Sequence, residues 1–306
     1  LQIATGMYFP DGAELSETTH RHVFYTNAGS ISSAPADLPF GRFLLSTGLE
    51  HVNALTVEVV DRLEEVDSDG NPSSHAATDG ADHIDDAADL FAFVFNVTCT
   101  RSLGLAESLI PQELKRGLTR NASGILRRTC DPGILLDEGE FVDAHTFANK
   151  LLSLERQDYE AAIRAIRTVV DASMLVYDEP GLAYTLYVAA LESLAQKAIP
   201  AASMLDWDRY PGERRKLFET AFTASSVSDE QADVIRDAAM RADQLSLKRR
   251  FTDFTLDHID RPFYREEAVE ARSPTRAVDL EHALSIAYDL RSRNVHSLEH
   301  LSPELW

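Results

Sequence analysis

The feature that most constrains this chain is a change in apolar period near Asp158. Before it, hydrophobic residues come in short runs: His22-Val-Phe-Tyr-Thr, Arg42-Phe-Leu-Leu-Ser, Leu55-Thr-Val-Glu-Val-Val and Phe91-Ala-Phe-Val-Phe-Asn-Val-Thr. These runs are rich in β-branched and aromatic residues and are bounded by Gly, Pro, Asn, Asp or Ser, the pattern of strands between turns. After it, Tyr159, Ile163, Ile166, Val169, Val170 and Met174 recur at three- and four-residue spacing, the stripe of an amphipathic helix. The pattern predicts an α+β fold, with a β-rich domain over residues 1–150 and an all-α helical bundle over residues 158–306. Helix stays open for Glu50 to Glu65 and for Ala87 to Phe95, because short apolar runs fit either period.

Punctuation along the second half sets the expected helices. The first is broken at Asp178-Glu179-Pro180-Gly181, and a second, about Leu182 to Ala198, ends at Pro200. Ser228-Asp229-Glu230-Gln231 has the form of a capping box and opens a third, running toward Leu247 or beyond. Arg261-Pro262 closes the next segment. Ser273-Pro274 precedes a last long helix, about Thr275 to Val295, whose apolar positions are Val278, Leu280, Leu284, Ala287 and Leu290.

With 306 residues the chain can bury two ordinary cores. Its net charge of −21 argues against a broad basic groove that grips nucleic acid by phosphate neutralisation alone. Any RNA contact needs a local patch, and Lys248-Arg249-Arg250 is the strongest basic cluster: either a solvated helix face or an RNA-backbone contact. Two cysteines, Cys99 and Cys130, make no disulfide framework, so a reducing, cytoplasmic setting is expected. No apolar run approaches membrane-spanning length and no secretory signal opens the chain, so no membrane association is expected.

The acidic stretch Asp67 to Asp86 reads as a solvated loop. A calcium loop starting at Glu65 fails where its twelfth position, which needs a bidentate Glu, is Ala76. His20 and His22 could form half a metal site, but nothing completes it at ligand spacing, and a strand edge is the favoured reading. No phosphate-binding loop, dinucleotide glycine set or nucleophile elbow is present, and no cofactor or metal is expected.

Chemistry concentrates near the chain end, in Tyr288-Asp289-Leu290-Arg291-Ser292-Arg293-Asn294-Val295-His296. Arg291, the polar Ser292, three further residues and His296 resemble the Arg-polar-x3-His motif of HEPN domains. Upstream, Tyr187-Val-Ala-Ala-Leu-Glu192-Ser-Leu resembles the early helix of the Apea-like HEPN type, and the likeness spans roughly Leu182 to Leu301. Ser297 stands where the family commonly has glycine. The resemblance implies a HEPN-like bundle acting as a metal-independent endoribonuclease. It also implies a homodimer with a composite site, a role in phage defence or a toxin system, and a possible operon-encoded regulator. The alternative is a catalytically inactive HEPN module, a dimerisation or RNA-binding partner in a regulatory complex.

The residues carry a physical reading of their own. Histidine titrates near neutrality, so His296 can take a proton from a ribose 2′-hydroxyl or give one to the leaving oxygen. Arg291 stays charged and grips phosphate oxygens with a planar fork, while Ser292 can add a hydrogen bond. Lys248, Arg249, Arg250 and Arg293 are the candidate RNA contacts. Five residues turn an ideal helix by about 140°, so Arg291 and His296 share no face within one straight helix. A symmetric dimer with both motifs at a common cleft resolves this. Against catalysis stands a plain alternative: cations suit the C-terminal end of any helix dipole. Glu192 is either a brace for Arg291 across the bundle or an ordinary exposed carboxylate.

Overall fold

The computed structural model describes residues 1–7, 9, 14–30, 34–49, 52–66, 69, 80–109, 129, 134–176, 178–199, 207–210, 212–242, 245–264 and 276–297. The fold is α+β, an antiparallel sheet followed by helices, in two compact units: Leu1–Tyr187 and Val188–Leu301.

The first unit is built on strands β1 (Glu14–Thr26), β2 (Ala28–Ser30), β3 (Ala36–Leu38), β4 (Gly41–Leu49), β5 (Val52–Val66), β6 (Cys99–Thr100) and β7 (Ile134–Leu136). Five of them form one sheet in the order β3-β4-β5-β1-β6, paired antiparallel throughout, while β2 and β7 pair in parallel. Alternation along the strands sorts the two faces. Phe24, Phe43, Leu55, Val57 and Val59 are buried, whereas Arg21, Val23, Arg42 and Leu44 are exposed. Register puts Glu58 between Arg21 and Arg42. Both guanidinium groups pair with its buried carboxylate, Arg42 Nε at 2.6 Å, and hold its pKa below the usual range.

Helices α1 (Gly80–Phe95), α2 (Leu103–Leu109), α3 (Glu138–Leu152), α4 (Arg156–Leu175) and the first turns of α5 (Pro180–Ala198) complete this unit. Phe91 of α1 meets Phe43 of the sheet edge-on at 5.1 Å, and Phe95 meets Phe141 of α3 at 5.1 Å. Tyr159, Ile163, Ile166 and Val170 of α4 join the same core. The apolar stripe after Asp158 is thus a helix, as its period requires, but it packs on α1 within the first unit. The run Phe91 to Phe95, which fits a strand but for which helix stayed open, is the last part of α1. A helix covered on several sides carries apolar residues almost continuously and loses its period. Likewise Gly80 to Asp86 are the first turns of α1. Of the rest of the Asp67 to Asp86 stretch only Asp69 is described, so the calcium-loop reading lies mostly outside the described residues.

Helix α1 begins against the sheet. A Cβ on Gly80 would lie 2.3 Å from the His20 ring, so a larger residue there would push that ring aside. His20 Nε2 is 3.6 Å from Asp61 Oδ2, and His83 Nε2 is 4.0 Å from Asp61 Oδ1. His22 instead lies edge-on to Phe24 at 5.2 Å. Among the described residues, no group of three or more His, Cys, Asp or Glu is arranged to hold a metal ion.

The second unit holds a short 3-10 turn (Trp207–Arg209) and helices α6 (Gly212–Ala224), α7 (Asp229–Ala242), α8 (Leu245–His258) and α9 (Ala277–Ser297), together with the last turns of α5. The expected capping box is present. Gln231 N–H donates to Ser228 Oγ at 3.3 Å, and Ser228 N–H donates to Gln231 Oε1 at 3.2 Å. The helix it opens ends at Ala242, and α8 follows as a separate helix. Helix α6 has no counterpart in the sequence reading; its only buried core residue is Phe222. No described helix is long and apolar enough to cross a membrane.

Two helices close with Schellman motifs. At the end of α1, Val97 N–H donates to Ala92 O at 3.1 Å, with Asn96 at φ +52°. At the end of α6, Val227 N–H donates to Phe222 O at 3.2 Å, with the exposed Ser226 at φ +52°. Asparagine tolerates this left-handed conformation better than serine does. Ser226→Gly is therefore expected to stabilise the second unit by roughly 0.5–1 kcal/mol, read as a higher urea midpoint.

A second expectation comes from the acidic face of α1. Arg167 of α4 pairs with Asp86, leaving Asp89 Oδ2 at 3.9 Å from its Nε. Burial raises the Asp89 carboxyl to about 7, against the pull of Arg167 and with help from Asp171, Asp86 and Asp85. A carboxyl whose folded pKa lies above its unfolded value near 4 favours folding most below about pH 4. Its contribution falls as pH rises toward 7. Asp89→Asn should flatten that fall, seen as urea midpoints that differ less between pH 4.5 and 7.5 than in the parent protein.

Candidate functional site

The candidate residues sit on three helices of the second unit, α5, α8 and α9. Leu280, Leu284, Ala287 and Arg291 follow one another at spacings of four, three and four along α9. Leu280 is buried and the other three are half-buried. Arg291 thus extends the packed stripe of its own helix. Facing it is Glu192 of α5, which is buried. Arg291 Nη1 lies 3.2 Å from Glu192 Oε2. The other carboxylate oxygen accepts from Gln196 Nε2 at 3.0 Å and, more weakly, from the Tyr288 hydroxyl at 3.4 Å. Of the two sequence readings of Glu192, the exposed carboxylate does not apply; it braces Arg291.

Tyr288 and Gln196 were not singled out in the sequence. The signal was available. Gln196 lies four residues after Glu192 and Tyr288 three before Arg291, the offsets at which helical side chains are neighbours. Burial first, then the Glu192 carboxylate, pushes the Tyr288 hydroxyl up to about 12, so it is a neutral donor at physiological pH. The ring of Phe251, on α8, lies 5.7 Å from that of Tyr288 and closes the cluster on its apolar side.

The cluster is not fully satisfied. Glu192 Oε2 and Arg291 Nε are buried and neither makes a hydrogen bond of good geometry. Buried polar atoms are paired in the great majority of cases, and exceptions call for an explanation. Here a charged donor and a charged acceptor are held together with hydrogen-bonding capacity left unused.

The basic residues are placed differently from one another. Lys248 Nζ is 2.6 Å from Asp289 Oδ2 and ties α8 to α9. Arg249 Nε is 3.5 Å from Asp253 Oδ2, one turn along the same helix. Arg250 is buried and donates to Gln196 O at 3.4 Å and Ile199 O at 3.3 Å, capping the last carbonyls of α5. Lys248 thus meets α9 at Asp289, two residues before Arg291. Ser292 is half-buried and Arg293 exposed. The backbone of His296 lies in α9, which stays α-helical through Ser297; its side chain lies outside the described residues.

No protein family, curated protein or solved structure matches this chain.

Removing one partner of a buried ion pair strands the other charge. Glu192→Ala is expected to cost roughly 2–4 kcal/mol, toward the low end because Arg291 is 22% exposed. In a double-mutant cycle of Glu192→Gln with Arg291→Gln, the double variant should be more stable than the sum of the singles by about 1 kcal/mol or more. Urea denaturation of the four proteins measures it. Strict additivity would show that the two groups do not interact.

Proposed function

We propose that the second unit is a metal-independent endoribonuclease of the HEPN type, acting as a homodimer on RNA. The observation that carries the reading is the Glu192–Arg291 pair. Two motifs about a hundred residues apart, chosen for their resemblance to one family, meet at 3.2 Å. A guanidinium oriented by a buried carboxylate is already positioned for a phosphate, with its free N–H groups directed by the pair.

In this reading Arg291 holds the scissile phosphate and stabilises the charge that builds on the phosphorane. His296 moves a proton. The ribose 2′-oxygen attacks the adjacent phosphorus as its proton is taken up, the bond to the 5′-oxygen breaks, and that oxygen is protonated. The products are a 2′,3′-cyclic phosphate and a 5′-hydroxyl. Because α9 remains helical through Ser297, the backbone positions of Arg291 and His296 differ by about 140° around one axis. Two copies of α9 facing each other supply both groups to one cleft. A role in phage defence or a toxin system, with an operon-encoded regulator, belongs to the same proposal.

The second reading is a catalytically inactive HEPN module that serves as a dimerisation or RNA-binding partner. What favours it is electrostatic: the charge of Arg291 is already met by Glu192, and Lys248, Arg249 and Arg250 are each engaged within the unit.

Turnover separates the two. Purified protein incubated with mixed RNAs should cut them equally with and without EDTA, leaving cyclic phosphate ends. His296→Ala and Arg291→Ala should each lower the rate by roughly 10²- to 10⁴-fold, and Arg291→Lys should recover only part of the loss. DNA, or RNA methylated on the 2′-oxygen at the cut site, should be inert. Light scattering should give a dimer. Cleavage that EDTA abolishes while both alanine variants keep full rate would move the chemistry elsewhere. Absence of cleavage, with RNA still bound, would leave the inactive module.

A further inference from the structure

The first unit contains a cavity of about 240 Å³ between the C-terminal end of α1 and the C-terminal part of α4. Its inner wall includes the buried Ala92, Cys99 and Val170, and half-buried Phe93, Ser173 and Met174 stand toward the outside. Protein interiors leave few voids larger than a water molecule, and an apolar cavity of only about 150 Å³ takes up benzene. The present cavity is larger, so it admits a fused pair of rings. Its half-buried rim lets a ligand exchange without unfolding.

The lining states what kind of molecule fits. Phe93 offers an aromatic face or edge, and the Met174 thioether makes favourable contacts with rings. Burial pushes the Cys99 thiol well above its usual range, so it stays neutral, and among the described residues no charged side chain lines the cavity. A charged ligand would lose its hydration without compensation. Three polar residues belong to the lining, Asn96, Thr129 and Ser173; the Thr129 hydroxyl donates to Asn96 Oδ1 at 2.7 Å, and Ser173 supplies an acceptor for a ligand. The Ser173 hydroxyl donates to Val169 O at 2.9 Å, so it accepts from the Tyr187 hydroxyl at 2.8 Å. A hydroxyl oxygen has two acceptor positions, and one remains. We infer that this cavity binds a small, uncharged aromatic molecule that carries a single hydrogen-bond donor, of the size and type of indole, with Ser173 receiving that donor. The site lies in the first unit and does not depend on the ribonuclease reading.

The test titrates the full chain with indole, with its donor-less isostere indene and with charged benzoate, by calorimetry and thermal melting. Indole should bind saturably and raise the melting temperature. Indene should bind roughly fivefold more weakly, the worth of one hydrogen bond, and benzoate should not bind. Val170→Phe fills the cavity and should abolish indole binding while the circular dichroism spectrum stays that of the parent. Should that variant fail to fold, Ser173→Ala decides: loss of the preference for indole over indene supports the site, and a retained preference overturns it. No saturable indole binding up to its solubility, or equal binding by a folded Val170→Phe protein, also overturns it.

Discussion

Burying helix α1 between the sheet and α4 removes Leu90, Phe91, Phe95, Ile84 and their neighbours from water together. Each large apolar side chain so buried is worth roughly 1.5–3 kcal/mol, and these residues are shared by every other layer of the first unit. Phe43 of β4, Phe141 of α3 and Ile166 of α4 all belong to that same core. The polar details are fitted around that contact: Gly80 lets α1 come down onto His20, and Arg167 crosses from α4 to Asp86 on the same helix. Depriving α1 of its packing would leave a sheet with one apolar face uncovered.

The second unit rests on a different kind of contact. Among the described residues its helices bury fewer large side chains, and several expose apolar ones, Leu217, Val234 and Val278 among them. Glu192, Arg291, Tyr288 and Gln196 form a polar contact between α5 and α9. An ion pair tolerates only a narrow range of geometry, so it fixes how α9 lies on α5 in a way that interchangeable apolar contacts do not. The same rigidity makes Arg291 suitable for chemistry, because a group already held in place loses little freedom when a substrate arrives.

How far the sequence disclosed this depended on burial. Strands with one wet face kept their alternation, so parts of β1, β4 and β5 were legible from Val23, Phe24, Phe43, Leu55 and Val57. Helix α4 and the Ser228 capping box were legible because period and hydrogen-bonding chemistry are local. Helix α1 was legible only as one of two options for Ala87 to Phe95, since contacts made far along the chain determine that Phe91 to Phe95 are helical. Helix α6 was missed because only Phe222 is buried along it, which leaves no stripe. In the site, Arg291 and Glu192 stood out by motif, whereas Tyr288 and Gln196 matter only because of what lies one turn away. Arg250 belonged to a visible basic cluster, yet nothing local says that its guanidinium turns inward to cap α5.

Strand order has a consequence for how the chain acquires its shape. In the sheet, β1 lies next to β5 and β6, and β2 is paired with β7, a strand more than a hundred residues further on. Such distant pairings carry a heavy loop-closure cost and tend to form slowly. The polypeptide reaches Leu136 before β2 has its partner, and α4 must follow before α1 is covered. Through all of that synthesis the apolar face of β4 and β5 is open to other chains, so this face is made well before it is sealed.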